Sequence, residues 1–198
     1  MTKIAQHATR KGWQALAGLL LVVACATYSS PTQAAKGRVE VRSAYAAVED
    51  GVYYIRARLD YSMGSSALEA LQNGVTLNIE LQIFVNQVRR YIWDDTVASL
   101  RQRYQLSFHA LTQRYLVANL NSGERQSFGD LNSALVHLGS VDHLPVIDEA
   151  LLDSGDRYQV GLRAIVDVKE LPGPLNMLSR IWGNWRIASD WYTWPLRP

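Results

Sequence analysis

Apolar and polar residues alternate with a period of two through most of this chain, the pattern of strands with one face buried. It is clearest around residues 104–120. Tyr104, Leu106, Phe108 and Ala110 alternate there with Gln105, Ser107 and His109. The alternation breaks at Thr112-Gln113-Arg114 and resumes from Tyr115 to Leu120, which predicts an antiparallel hairpin. Residues 52–61 repeat the signal, with Tyr53, Ile55, Ala57, Leu59 and Tyr61 on one face and Tyr54, Arg56, Arg58 and Asp60 on the other. In residues 75–85, Val75, Leu77, Ile79, Leu81, Ile83 and Val85 point inward, and in residues 158–168 Tyr158, Val160, Leu162, Ala164, Val166 and Val168 do so.

Between these runs the signals are shorter. Residues 39–47 form a looser strand, and Glu49-Asp50-Gly51 marks a hairpin turn into the next. Ser65 and Ser66 are expected to cap a short helix over 67–72 that stops at Asn73-Gly74. Residues 89–103 read better as strand than helix, because an antiparallel partner for 75–85 should follow soon. Asp130 caps a helix over 131–138, with Leu131, Leu135 and Leu138 as its buried stripe and Gly139 as its stop. Residues 140–155, with Pro145 and four acids, read as irregular. Pro172-Gly173-Pro174 ends the strand at 158–168, a helix follows over 175–182, and residues 186–194 make the last strand. The fold class is mainly β: an antiparallel, Greek-key-like sandwich of seven or eight strands with two or three short helices, or a closed barrel in the alternative.

The first 35 residues read differently. Lys3, Arg10 and Lys11 form a basic start without acids, and residues 15–26 are apolar. Twelve apolar residues are too few for a comfortable span, which needs about 20, but they suit the core of a secretory signal. Thr32-Gln33-Ala34 offers small residues for cleavage after Ala34 or Ala35. In the alternative, Val22-Val23-Ala24-Cys25 serves as a lipobox and Cys25 is acylated. Either route exports residues 36–198 as one domain, free in the periplasm or lipid-anchored to the envelope membrane.

Losing the leader removes three of the 20 basic residues and none of the 18 acids, leaving 17 against 18 and a net charge of −1. The sequence pI of 8.7 therefore reflects the leader, and the mature domain lacks the electrostatic footprint of a nucleic-acid binder. Membrane contact is expected only through the leader or a lipid on Cys25. That residue is the single cysteine, so no disulfide helps the fold.

Two compositional features suggest binding. Trp182, Trp185, Trp191 and Trp194 crowd into thirteen residues near the C-terminus. They either close the open end of the sandwich or form an aromatic platform for a glycan, a peptide or a membrane interface. On one continuous strand, Trp191 would share a face with Ile187 and Ser189, and Trp194 with Tyr192 and Ala188. The mature chain also uses 15 Arg against two Lys. Arg56, Arg58 and Arg163 project from polar strand faces, where a guanidinium suits a carboxylate or phosphate. Pairing with Asp60 or Asp167 is the competing role.

Catalytic signals are weak. Asp94 and Asp95, adjacent in a strand, point to opposite faces and would not share a proton. His137, Asp142 and His143 follow no established zinc spacing. His109 is expected in solvent, and there is no GxSxG elbow, phosphate-cradling loop or HExxH helix. Neither a cofactor nor a metal is implied, and nothing supports an enzyme. A hydrolase of unrecognised type is the reading left to that side.

Several segments carry a family resemblance: Trp93-Asp94-Asp95; residues 104–111 with Tyr115-Leu116-Val117; and Phe128 with Leu131, Ala134, Leu135, Leu138 and Gly139. To these are added Leu162-Arg163 to Asp167, Leu171-Pro172-Gly173-Pro174-Leu175, and the run from Trp185 to Trp194. Together they resemble an exported proteobacterial family of domains of unknown function. The resemblance spans nearly the whole mature chain and carries no catalytic residues. It implies an envelope location and, through genes often lying beside nitrogen-regulation-type sensor kinases, a signalling connection. The function expected is a non-enzymatic periplasmic binding domain for an envelope protein, or a modulator of a sensor histidine kinase through its periplasmic region.

Overall fold

The computed structural model describes residues 37–89, 95–168 and 186–198. The leader with Cys25, Trp93, Asp94, the helix expected over 175–182, Trp182 and Trp185 lie outside the described residues.

Strands β1 (Arg38–Glu49) and β2 (Val52–Ser62) form the first hairpin. Its two turn residues, Asp50 and Gly51, have φ of 51° and 77°. Two left-handed residues make the tight turn whose twist matches the flanking strands, and glycine adopts it without steric cost. Helix α1 (Ser65–Gln72) begins at Gly64, one residue before the expected serine caps, and makes no side-chain cap bond. Its end follows the sequence. Gly74 has φ of 84°, its N–H bonds Leu71 O at 3.0 Å, and Val75 N bonds Ala70 O at 2.9 Å, the paired bonds of a glycine-terminated helix.

Strand β3 (Leu77–Gln87) pairs along its whole length with both β4 (Asp95–His109) and β8 (Tyr158–Val168). Buried on both flanks, it supplies Leu77, Ile79, Leu81, Ile83 and Val85, each no more than 1% exposed. Burial of each such side chain stabilises the fold by about 1.5–3 kcal/mol before entropy is counted. The hairpin read at 104–120 is the end of β4 with β5 (Arg114–Asn119), pairing Tyr104 with Asn119 through His109 with Arg114. Strand β6 (Arg125–Phe128) adds to β5, and α2 (Leu131–Gly139) follows. Asp130 caps α2 as expected, accepting Ser133 N at 2.8 Å. Ala134, Leu138 and Gly139 are its buried residues, while Leu131 and Leu135 pack at the core's margin.

Two expectations need correcting. Residues 140–155 are not irregular: β7 (Ser140–Asp148) pairs with β2 at the edge of the first sheet. Pro145 is tolerated because an edge strand leaves one side of its backbone free of the ladder. The last strand is two, β9 (Arg186–Ala188) and β10 (Tyr192–Leu196), both paired with β8. The described strands therefore number ten rather than seven or eight.

The strands form two antiparallel sheets, one ordered β1-β2-β7 and the other β10-β8-β3-β4-β5-β6, with β9 also on β8. Neither closes into a barrel. The chain leaves the small sheet after β2, builds β3 to β6, returns for β7 and crosses back for β8. Ile55 and Leu59 of the small sheet and Ile79, Leu81 and Leu162 of the large one share a single core, the arrangement of a β-sandwich.

Candidate functional site

The outer face of the large sheet carries the most organised array of side chains. Successive rows place Arg163, Gln82 and Arg101 in register across β8, β3 and β4, and next to them Gly161, Phe84 and Ser99. Adding a side chain at Gly161 would bring its Cβ to 2.2 Å from the Phe84 ring. The glycine thus leaves the space in which that ring lies.

Trp191 reaches this face through a slip in register. Ala188 pairs with Ile165, whereas Tyr192 pairs with Leu162, so Asp190 and Trp191 together stand opposite Arg163. One extra residue makes a β-bulge, which re-aims side chains. Ser189 secures it: its N–H donates to Ala164 O at 2.9 Å and its Oγ accepts Ala164 N at 3.0 Å. The bulge also corrects the expected faces. Ile187, Tyr192 and Trp194 pack toward the core, and Trp191 stands outside, 40% exposed.

The geometry around Trp191 is specific. Phe84 meets it edge-on, with centroids 4.8 Å apart and planes at 63°. The Arg163 guanidinium lies 4.4 Å from the indole centroid, a cation–π contact. Arg163 Nε donates to Gln82 Oε1 at 2.8 Å, and Gln82 Nε2 donates to Glu80. Arg103 Nε closes the chain on Glu80 at 3.2 Å. Glu80 titrates below the usual carboxylate range: burial opposes the shift, but the bonds from Gln82 and Arg103 outweigh it. Among the described residues no carboxylate forms an ion pair with Arg163.

Arg56 and Arg58, the other arginines singled out, lie on the outer face of the small sheet and are matched by acids. Arg56 bonds Glu49 at 2.6 Å and Arg58 bonds Asp142 at 2.7 Å, while Asp60 pairs with Arg42. His143 joins this group, 3.0 Å from Glu49 and stacked on Tyr54 at 3.8 Å. Bonds from His143 and Arg56 pull the Glu49 carboxyl below its usual range. His137, by contrast, sits against Phe128 at 5.1 Å. The structure therefore gives the two histidines of the 137–143 segment different partners. No group of three metal-ligating side chains occurs among the described residues. Asp95 is bonded to Arg89 at 2.9 Å, and His109 is exposed beside Thr112.

Trp194 belongs elsewhere. It packs at the core margin near Tyr192, with centroids 6.0 Å apart, and lines a cleft of about 320 Å³ with Val88, Arg157 and Leu196. A larger cleft of about 580 Å³ lies between β1, β2 and α2. It is lined by Arg38, Arg42, Glu40 and Asp60, whose charges offset one another.

Sequence reasoning singled out Trp191 and Arg163 separately and missed Phe84, Gln82 and Gly161. An aromatic residue alternating onto the polar side of 77–87, with a glycine in the neighbouring run, was the available signal.

Fold and surface together define a two-sheet β domain whose organised side chains form an open shelf of arginine and aromatic residues. The chain belongs to the family described as Domain of unknown function (DUF4390), whose model matches residues 36–195. No curated protein and no solved structure matches it.

Proposed function

We propose that this protein is an exported interaction domain that binds an envelope protein through the outer face of its large sheet. The observation that carries the reading is the shelf itself. Arg163, held by Trp191 and Gln82, stands beside Phe84 on an open face, and Trp and Arg are the side chains most enriched at binding hot spots. The leader supports export to the periplasm, with a lipid anchor on Cys25 as the variant of the same route. The role is binding rather than turnover. Arg163 and its neighbours hold and orient, and none of them is placed as a nucleophile with a base beside it.

A photo-cross-linking residue at Thr193 or Ser99, both exposed on this face, tests the reading in the native host. A discrete adduct is expected from these positions, lost with Arg163→Ala and absent when the probe replaces Tyr45 on the small sheet. Adducts that persist in Arg163→Ala, or that form only from Tyr45, would overturn it. Intact-mass analysis and fractionation check the location. A chain starting at Ala35 or Lys36 in the periplasm, or one starting at lipidated Cys25 in a membrane fraction, agrees with export.

A further inference from the structure

Resting on that reading, we infer that the shelf is a carboxylate receptor whose ligand is an acidic segment of a partner protein, with Arg163 as the anchoring fork. The described arginines that bond another side chain mostly face an acid: Arg38 and Arg42 on Glu40, Arg56 on Glu49, Arg58 on Asp142, Arg89 on Asp95 and Arg103 on Glu80. Arg163 is held by neutral groups instead. The guanidinium lies over the indole, 4.4 Å from its centroid, and Gln82 takes only Nε. Its two terminal nitrogens form an oriented pair of donors, matched to the two oxygens of a carboxylate.

Gln82 sets the charge of the site. Its amide oxygen accepts from Arg163 while its amide nitrogen donates to Glu80. Glu80 is thereby held by Gln82 and Arg103, and neither it nor Asp190, which stands opposite Arg163 in the bulge, forms an ion pair with Arg163 among the described residues. Arg101 stands in the same row on the far side of Gln82, exposed and without an ion pair among the described residues. Strands lie roughly 4.8 Å apart, so the two arginines are separated by about 10 Å at the backbone. An extended acidic segment laid across the row can present carboxylates to both, with an apolar side chain over Phe84.

The occupied indole argues against a sugar acid. Sugars stack on an open aromatic face, and here Arg163 lies over the Trp191 ring while the Phe84 ring packs against it at 63°. A phosphate or anionic lipid surface would call for more charge than three arginines offset by Glu80. Trp191 and Gln82 are accordingly positioning residues.

The test uses the chain expressed with its own leader, purified, and labelled for indole resonances. The probes are a Glu-rich decapeptide containing leucine, its Gln counterpart, oligogalacturonate and inorganic phosphate. The Glu peptide is expected to shift the Trp191 indole signal and to bind more weakly as salt rises. Arg163→Gln should weaken it roughly tenfold or more, since a charge-assisted fork is lost, and Arg101→Gln less. Arg163→Lys should recover only part of the loss, and Arg56→Gln should change nothing. Equal binding of the Gln peptide, tighter binding of oligogalacturonate or phosphate, or an unchanged affinity in Arg163→Gln would each overturn the ligand class. If the Thr193 adduct still depends on Arg163 while the Glu peptide fails to bind, the ligand class falls and the interaction domain stands. Loss of both removes both.

Discussion

Gly161 faces Phe84 across the β3–β8 ladder, and the phenyl ring fills the space where a side chain at 161 would be. Gly161→Ala must push the ring away, and with it the edge contact to Trp191. Overpacking of this kind costs about 1–3 kcal/mol. Urea denaturation should show that loss, and the Gly161→Ala, Phe84→Ala double variant should lose less than the two single losses together. Additive losses would mean that the ring does not meet the new methyl group.

Gly139 ends α2 where the helix touches the backbone of β2. A Cβ there would sit 2.1 Å from the carbonyl oxygen of Leu59. A backbone oxygen cannot swing aside as a ring can, so Gly139→Ala should cost more than Gly161→Ala, about 2–4 kcal/mol. Comparison of the two midpoints in urea checks the order.

Asp130 accepts both the N–H and the hydroxyl of Ser133, and these bonds hold its carboxyl below the ordinary aspartate value of 3.8. A depressed value stabilises the fold above pH 3.8 and ceases to do so as pH falls through the lower folded value. Asp130→Asn keeps a capping oxygen but no charge. Wild type should therefore melt higher than Asp130→Asn at neutral pH, and the gap should close in acid. A gap independent of pH would contradict the cap.

Tyr61 extends from the inner face of β2 with its hydroxyl buried and without a hydrogen-bond partner among the described residues. Burial, reinforced by Tyr104, holds the phenol above its usual range. An unsatisfied buried hydroxyl destabilises, so Tyr61→Phe should raise stability by about 1 kcal/mol. A loss on removing the oxygen would show that a partner had been serving it.

Trp191 and Trp194 should part company on truncation. Trp191 is 40% exposed and owes its place to Phe84 and Arg163, so Trp191→Ala should cost roughly 1 kcal/mol. Trp194 packs at the core margin, and Trp194→Ala should cost about 2–3 kcal/mol. Denaturation curves of the two variants decide, and a larger loss at Trp191 would return that ring to the interior.

Legibility followed burial. Residues 52–61, 75–85 and 158–168 were readable because one face of each meets a continuous core and the other is largely polar. Strand β7 was not, because it pairs on one side only. Its register with β2 slips between Tyr53 and Tyr54 and again between Ile55 and Ala57, so its alternation never settles. Strand β6, four residues long, has too few positions to show a period. At the site, Trp191 and Arg163 could be named as types of residue, but their contact could not.

Period-two alternation, a capping aspartate, turn glycines and an unbroken apolar run in β3 are local properties, and by themselves they determined a mainly β protein, sandwich or barrel. Which outward residues meet depends on register between strands far apart in sequence. A single extra residue at Asp190-Trp191 placed an indole under Arg163, and Gln82 linked Arg163 to Glu80. Only tertiary structure decided those relations, because pairing energy is shared across the ladder and no single stretch of chain contains it.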